Sequence, residues 1–216
     1  PYSFGSFYGT TAEFPESRVQ TGEPYILRDY RGLVVDAFPI TVTGEGTIRV
    51  ATRMTIEVVA DGVDLTNALD RSGPPETVVQ EFHEVYQSRF LNYGGDRYTP
   101  VIERGKMLII TYDAFHAALQ PLVDWKMQSG IPTTVVDISA IGNNTTAIKN
   151  CIQAAYLQGG LAFVLLVGDA AQIATPSAAG GASDPTYALL AGADRYPEIL
   201  IGRFSAETVA HVQTQV

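Results

Sequence analysis

The run Leu161–Val167, LAFVLLV, is apolar at all seven positions. A strand with one wet face shows a polar residue at every second position, and this run shows none. A strand buried on both faces belongs in the middle of a parallel sheet with helices on each side. The surrounding sequence supplies those layers. KMLIITY (106–112) is another continuous apolar run, ending in Asp113, a natural helix cap. AFHAALQPLVDWKMQSG reads as a helix closed by Gly130, which Pro121 must kink or bound. IPTTVVDIS is a strand, and NNTTAIKNCIQAAYLQGG is a helix closed by Gly159 and Gly160. PEILIGRFS is a further strand, followed by a helix, AETVAHVQTQV, for which Ser205 is the expected cap. Regular alternation of strand and helix predicts a doubly wound α/β sheet.

The first half is patterned differently. PYILRDYRGLVVDAFPITV alternates apolar and polar residues and is broken at Arg31-Gly32, which reads as a hairpin turn. A second turn is expected at Gly44-Glu45-Gly46, with Ile48, Val50, Met54, Ile56 and Val58 alternating after it. The expectation is a half-buried antiparallel meander. Residues 76–93 carry apolar side chains near the helical period and are expected to be helical in part.

The chain has 216 residues and a net charge of −9, which argues against a nucleic-acid-binding surface. No apolar stretch approaches the roughly 20 residues of a membrane helix. The single cysteine, Cys151, allows no internal disulfide. No leader pattern follows Pro1, so the protein is cytoplasmic or an upstream piece lies outside this sequence. The few lysines and the many Thr, Tyr and Gly residues favour an extracellular setting. The last helix is still apolar at Val216, and the sheet has about four strands where five or six are usual. The chain is therefore expected to be a fragment whose sheet is finished by residues not in the sequence.

Four stretches then carry a family likeness: YTPV (98–101), LVDWKMQSG (122–130), FVLLVGD (163–169) and GADRYPEILIGRFS (192–205). In order and spacing they resemble the gingipain family of bacterial cysteine endopeptidases. YTPV resembles the start of a mature catalytic domain. EFPESRVQTGEPYILRDYRGLVVDAFPI resembles the end of the propeptide, so the likeness covers nearly the whole chain. The resemblance implies a caspase-like α/β fold for residues 98–216, present here in part, preceded by a β-rich propeptide region over residues 1–97. It also implies a secreted or cell-surface bacterial protein. The family's catalytic pair is a His followed by Gly, and a Cys further on. His83, His116 and His211 do not precede Gly. Both motifs would fall beyond Val216, and this chain alone is expected to be inactive.

The resemblance also bears on individual residues. Arg97-Tyr98 lies in the glycine-rich loop after Gly94 and Gly95. Loop chemistry alone reads Arg97 as an ordinary surface arginine. The YTPV match makes Arg97-Tyr98 the expected processing site, where flexible polar loops are readily nicked. Asp194 and Glu198, four apart before a strand, offer the hard oxygens that calcium takes. The family binds calcium in its catalytic domain, which makes these two candidate ligands for a structural calcium ion; Asp184 is a further candidate. The alternative is a solvated acidic loop.

Several residues read as structural. Asp169, at the carboxyl edge of a buried strand, is a cap or loop anchor before it is a site residue. Cys151 sits mid-helix with no base in reach and reads as core. His116 reads as a satisfied histidine without a catalytic partner, Trp125 as packing between helix and sheet, and Asn143–Thr146 as loop and helix cap. The glycine fingerprint of a nucleotide site is absent after FVLLVGD.

The expected function is part of a cysteine endopeptidase zymogen acting on protein or peptide substrates. Its partner is the remainder of the catalytic domain, as continuation or second chain. The rival is a non-catalytic binding or surface module on the same scaffold.

Overall fold

The computed structural model describes residues 3–69, 75–94 and 100–216. The chain divides into two compact units, one of residues 1–25 and 31–68, the other of residues 26–30 and 69–216.

The first unit is built from short antiparallel pairs. Strand β1 (Glu13–Phe14) pairs with β6 (Ile40–Thr43), and β2 (Val19–Thr21) pairs with β5 (Val35–Ala37). Between them in sequence lie β3 (Tyr25–Leu27) and β4 (Tyr30–Gly32), of which Ile26, Leu27 and Tyr30 belong to the second unit. Strand β7 (Ile48–Val50) folds back on β6 through the expected Gly44–Gly46 turn. The meander then ends, and Met54, Ile56 and Val58 lie outside any strand, contrary to expectation. The orientation also differs. The buried residues of β6 are Thr41 and Thr43, while Ile40, Val42, Ile48 and Val50 are exposed. Thr41 takes part in a polar network, donating to Glu13 at 2.9 Å and accepting from Arg18 at 2.9 Å. Arg49 pairs with the same glutamate. Alternation specifies two faces, and here the polar partners decide which one turns inward.

The hairpin turn expected at Arg31-Gly32 is displaced. Both residues lie in β4, and the turn is Arg28-Asp29. Arg28 takes φ of 51°, a region that costs a non-glycine residue about 1–3 kcal/mol unless its surroundings hold it there.

In the second unit, β8 (Thr77–Val79) leads into α1 (Gln80–Arg89) and pairs in parallel with β9 (Val101–Glu103). Strand β10 (Lys106–Thr111) follows. Residues Asp113–Leu119 form a 3-10 helix, and α2 (Gln120–Gln128) begins with Pro121 in its first turn. The proline thus marks a boundary, where its missing N–H costs nothing. Next come β11 (Thr133–Asp137), α3 (Ile138–Ile141), α4 (Thr145–Leu157) and β12 (Leu161–Val167). A two-stranded ribbon of β13 (Ser177–Ala178) and β14 (Gly181–Ala182) and a 3-10 turn (Asp184–Ala188) precede β15 (Leu200–Phe204) and α5 (Val209–Gln215).

Four parallel strands form the sheet in the order β11-β10-β12-β15. The apolar run of β12 is central, as its sequence requires. Leu108, Ile110, Val164 and Leu166 pack on Ile138, Ile148 and Ile152 of α3 and α4. Ile109 and Val167 face the other way, onto Phe115, Leu119, Leu122 and Val212. The sheet is therefore wound on both faces. Trp125 does not pack between helix and sheet; it is 58% exposed, with the Lys126 ammonium over its ring. Two expected caps are also replaced. Thr208, not Ser205, caps α5 by accepting from the His211 N–H. Asp113 accepts from the Ser139 N–H at 3.1 Å instead of capping its own helix.

Candidate functional site

The strand order places a switch point between β10 and β12. The chain leaves β10 towards β11 on one side and returns through β12 on the other. In open α/β sheets the crevice outside the carboxyl ends at such a point is where ligands bind. Tyr112 and Asp113 follow β10 at this edge, and Gly168 and Asp169 follow β12.

Gly168 has φ of 135°, and a Cβ there would meet Gln172 Cβ at 2.7 Å. The residue must be glycine for the chain to turn away so sharply. Its N–H donates to Phe204 O, and that of Asp169 donates to Ala206 O. The Asp169 carboxylate accepts from the Ser205 hydroxyl at 2.9 Å. The Ala170 N–H first, and then Ser205, hold its pKa below the usual carboxylate value. Asp169 is an ionised loop anchor, as its position in the sequence suggested.

The residue that organises this edge is Arg203 of β15, which sequence reasoning missed. All five of its N–H groups are used. Nε and Nη2 grip Asp184 at 2.7 and 2.8 Å, Nη1 donates to Gly168 O and Ile173 O, and Nη2 also donates to Thr175 Oγ1. Its partners lie 19 to 35 residues away in sequence, so only an arginine inside an apolar strand could have signalled it. Asp184 spends both carboxylate oxygens here, which argues against its candidacy as a calcium ligand.

The histidines are paired, but not for nucleophilic catalysis. His116 Nδ1 lies 2.6 Å from Asp137 Oδ1, His83 Nδ1 lies 2.7 Å from Tyr93 Oη, and His211 accepts from the Glu207 N–H. Among the described residues no thiol or hydroxyl completes a nucleophile-base pair with His116. Cys151 is half-buried in α4, where burial pushes its thiol pKa up. Asn144 caps α4 and Asn143 binds the Ala174 N–H, as a loop-and-cap reading expects.

The acidic pair lies in the loop before β15. Glu198 is wholly buried. Its Oε2 accepts from the Leu190 N–H at 2.5 Å and the Ala191 N–H at 3.0 Å, while Oε1 has no hydrogen-bond partner. Burial raises its pKa; the Leu190 and Ala191 N–H groups oppose the rise, and the Asp194 charge adds to it. Asp194 accepts from the Tyr196 N–H at 2.9 Å and from the Ile26 N–H at 2.6 Å. The structure thus brings the two acids into one electrostatic site. They fit calcium in donor type and through the unpartnered Glu198 oxygen. They do not fill its usual six to eight positions, and among the described residues no third His, Cys, Asp or Glu joins them. The expected processing residues, Arg97 and Tyr98, lie outside the described residues.

Residues 102–216 match the profile of Peptidase family C25. The chain belongs to this family of cysteine-type peptidases. The likeness extends over the full sequence: Gingipain R1 and Gingipain R2 of Porphyromonas gingivalis are each 34% identical over 100% of this chain. The chain spans 22% and 30% of those two relatives. Two solved structures are similar at 35% identity and a TM-score of 0.50. One is the complex of Porphyromonas gingivalis RgpB pro- and mature domains, sharing 51% of this chain and 27% of its own; the other is the Arg-specific cysteine proteinase gingipain R, sharing 55% and 29%. The C25 chain described here thus has gingipain relatives both for its α/β unit and for the residues before it. Among the described residues no helix is long and apolar enough to cross a membrane.

Proposed function

We propose that this C25 chain is part of a secreted or surface cysteine endopeptidase zymogen, processed between Arg97 and Tyr98. The observation that carries the reading is the extent of the likeness. Identity to Gingipain R1 spans the whole chain, although the family profile begins only at residue 102. A relative exists as a complex of pro- and mature domains, which supports residues 1–97 as propeptide and residues 98–216 as the start of the catalytic domain. Another relative is described as Arg-specific, and Arg97 is the residue such an enzyme would accept. The catalytic thiolate and its histidine lie outside this chain. Peptide hydrolysis would proceed by thiolate attack with the histidine as base, and backbone N–H groups would hold the oxyanion.

The test is N-terminal sequencing of the mature product from a precursor that carries this chain and its continuation. A product beginning at Tyr98 is expected, and Arg97→Ala should abolish or move that terminus. Unchanged maturation at Tyr98 in the variant would overturn the reading.

We also propose Asp194 and Glu198 as ligands of a structural calcium ion, with backbone carbonyls supplying the remaining oxygens. The buried, unpartnered Oε1 of Glu198 supports this. Calcium titration by calorimetry tests it: saturable binding that Glu198→Gln removes is expected, and heat that is unchanged in the variant would sink the assignment.

A further inference from the structure

Five residues of the N-terminal half, Ile26–Tyr30, belong to the α/β unit and not to the unit formed by their neighbours in sequence. Arg28, at the turn of this hairpin, is 6% exposed. Its Nη1 donates to Leu161 O at 2.5 Å and to Glu198 O at 2.7 Å. The guanidinium lies 4.9 Å from the centre of the Phe82 ring and 5.5 Å from that of Tyr156, and its Nε lies 3.5 Å from Asp29. A charged fork enclosed by two rings, one carboxylate and two carbonyls is a specific recognition site for arginine. The positive φ at Arg28 is a conformation that these contacts must hold.

The same hairpin grips the acidic loop at a second point, where the Ile26 N–H donates to Asp194. The loop from Leu190 to Glu198 has no regular secondary structure. It is held from within by Glu198, through the N–H groups of Leu190 and Ala191, and from outside by the hairpin at Asp194 and Glu198.

We propose that Arg28 is the recognition residue by which the α/β unit holds the hairpin of residues 26–30, and that seating it orders the loop Leu190–Glu198. The hairpin would then act as a brace for the loop that carries both acidic residues, and unseating it would loosen the loop. Coupling of this kind is reciprocal: what loosens the loop must also loosen the hairpin.

Amide hydrogen exchange on the uncut chain tests this without reference to cleavage at Arg97, so either idea can fail alone. Arg28→Ala should speed exchange across Leu190–Glu198 at least tenfold while β10 and β12 stay protected. If β12 loses protection too, Arg28→Lys serves instead; it keeps the charge and loses the fork, and the loop alone should loosen. Asp194→Asn should speed exchange at Ile26 and in the hairpin turn. Loop exchange within twofold of the unchanged chain in a folded Arg28 variant would overturn the proposal. So would an Asp194→Asn protein whose loop loosens while the hairpin stays protected.

Discussion

Arg203 and Asp184 meet in a two-pronged ion pair, Nε to Oδ2 at 2.7 Å and Nη2 to Oδ1 at 2.8 Å, with both side chains largely buried. The remaining N–H groups of the same guanidinium fasten Gly168, Ile173 and Thr175. Arg203→Ala would strand a carboxylate and two carbonyls at the edge of the sheet. Removing one partner of such a pair costs about 3–5 kcal/mol. Arg203→Lys should recover only part of this, because an ammonium cannot grip both carboxylate oxygens in one plane. Urea denaturation of the two variants checks the order: alanine least stable, lysine between. Equal stability of the lysine variant and the unchanged chain would refute the role of the fork.

The α/β unit was legible in the sequence wherever one local rule acted alone. LAFVLLV could only be a central strand, Pro121 could only bound a helix, and Asn144 capped α4 as asparagine does. Legibility failed where distant groups set the outcome. Ser205 and Thr208 are both good caps, but the Ser205 hydroxyl is held by Asp169, and Thr208 takes the role. Nothing local places a turn at Arg28, whose side chain is held by carbonyls more than 130 residues away. The alternation of β6 was visible, but which face turned inward depended on the charges of Glu13, Arg18 and Arg49, and β7 is exposed at all three positions. The acidic pair could be named from its spacing; that Ile26 would bind Asp194 could not.

Asp169 makes the carboxyl edge sensitive to acid. The Ala170 N–H and the Ser205 hydroxyl hold its pKa below the ordinary value in the folded protein. A depressed carboxyl group adds stability above its unfolded pKa of about 3.9, and the contribution is lost as pH falls through the lower folded value. Ser205→Ala should move the Asp169 titration upward, towards that of an unfolded chain. Carboxyl carbon NMR from pH 2 to 6 reads this directly. An Asp169 midpoint that does not rise in the variant would show that the hydroxyl plays no part.

Cys151 should behave as a packed thiol. It is half-buried on α4, and burial alone pushes its pKa up, so little thiolate is present at neutral pH. Thiol titration with a chromogenic disulfide should be slow in the folded chain and rapid in denaturant. Cys151→Ala should cost only about 1 kcal/mol, as for a small apolar truncation. Rapid native labelling would contradict the burial.

Glu198 should give the opposite pH dependence to Asp169. Its folded pKa is raised, chiefly by burial and further by the Asp194 charge, against the opposing N–H bonds of Leu190 and Ala191. Above the ordinary glutamate value of about 4.3 the unfolded chain releases its proton while the folded chain keeps it. Stability attributable to this group therefore falls as pH rises from that value to the folded pKa, and is level beyond it. Glu198→Gln keeps an acceptor for the Leu190 and Ala191 N–H groups and removes the titration. Thermal midpoints from pH 4 to 8 should decline more for the unchanged chain than for the variant, the gap opening above pH 4 and then holding constant. Parallel curves would mean that Glu198 is ionised in the folded protein throughout, its charge met by a cation or by the nearby Lys149.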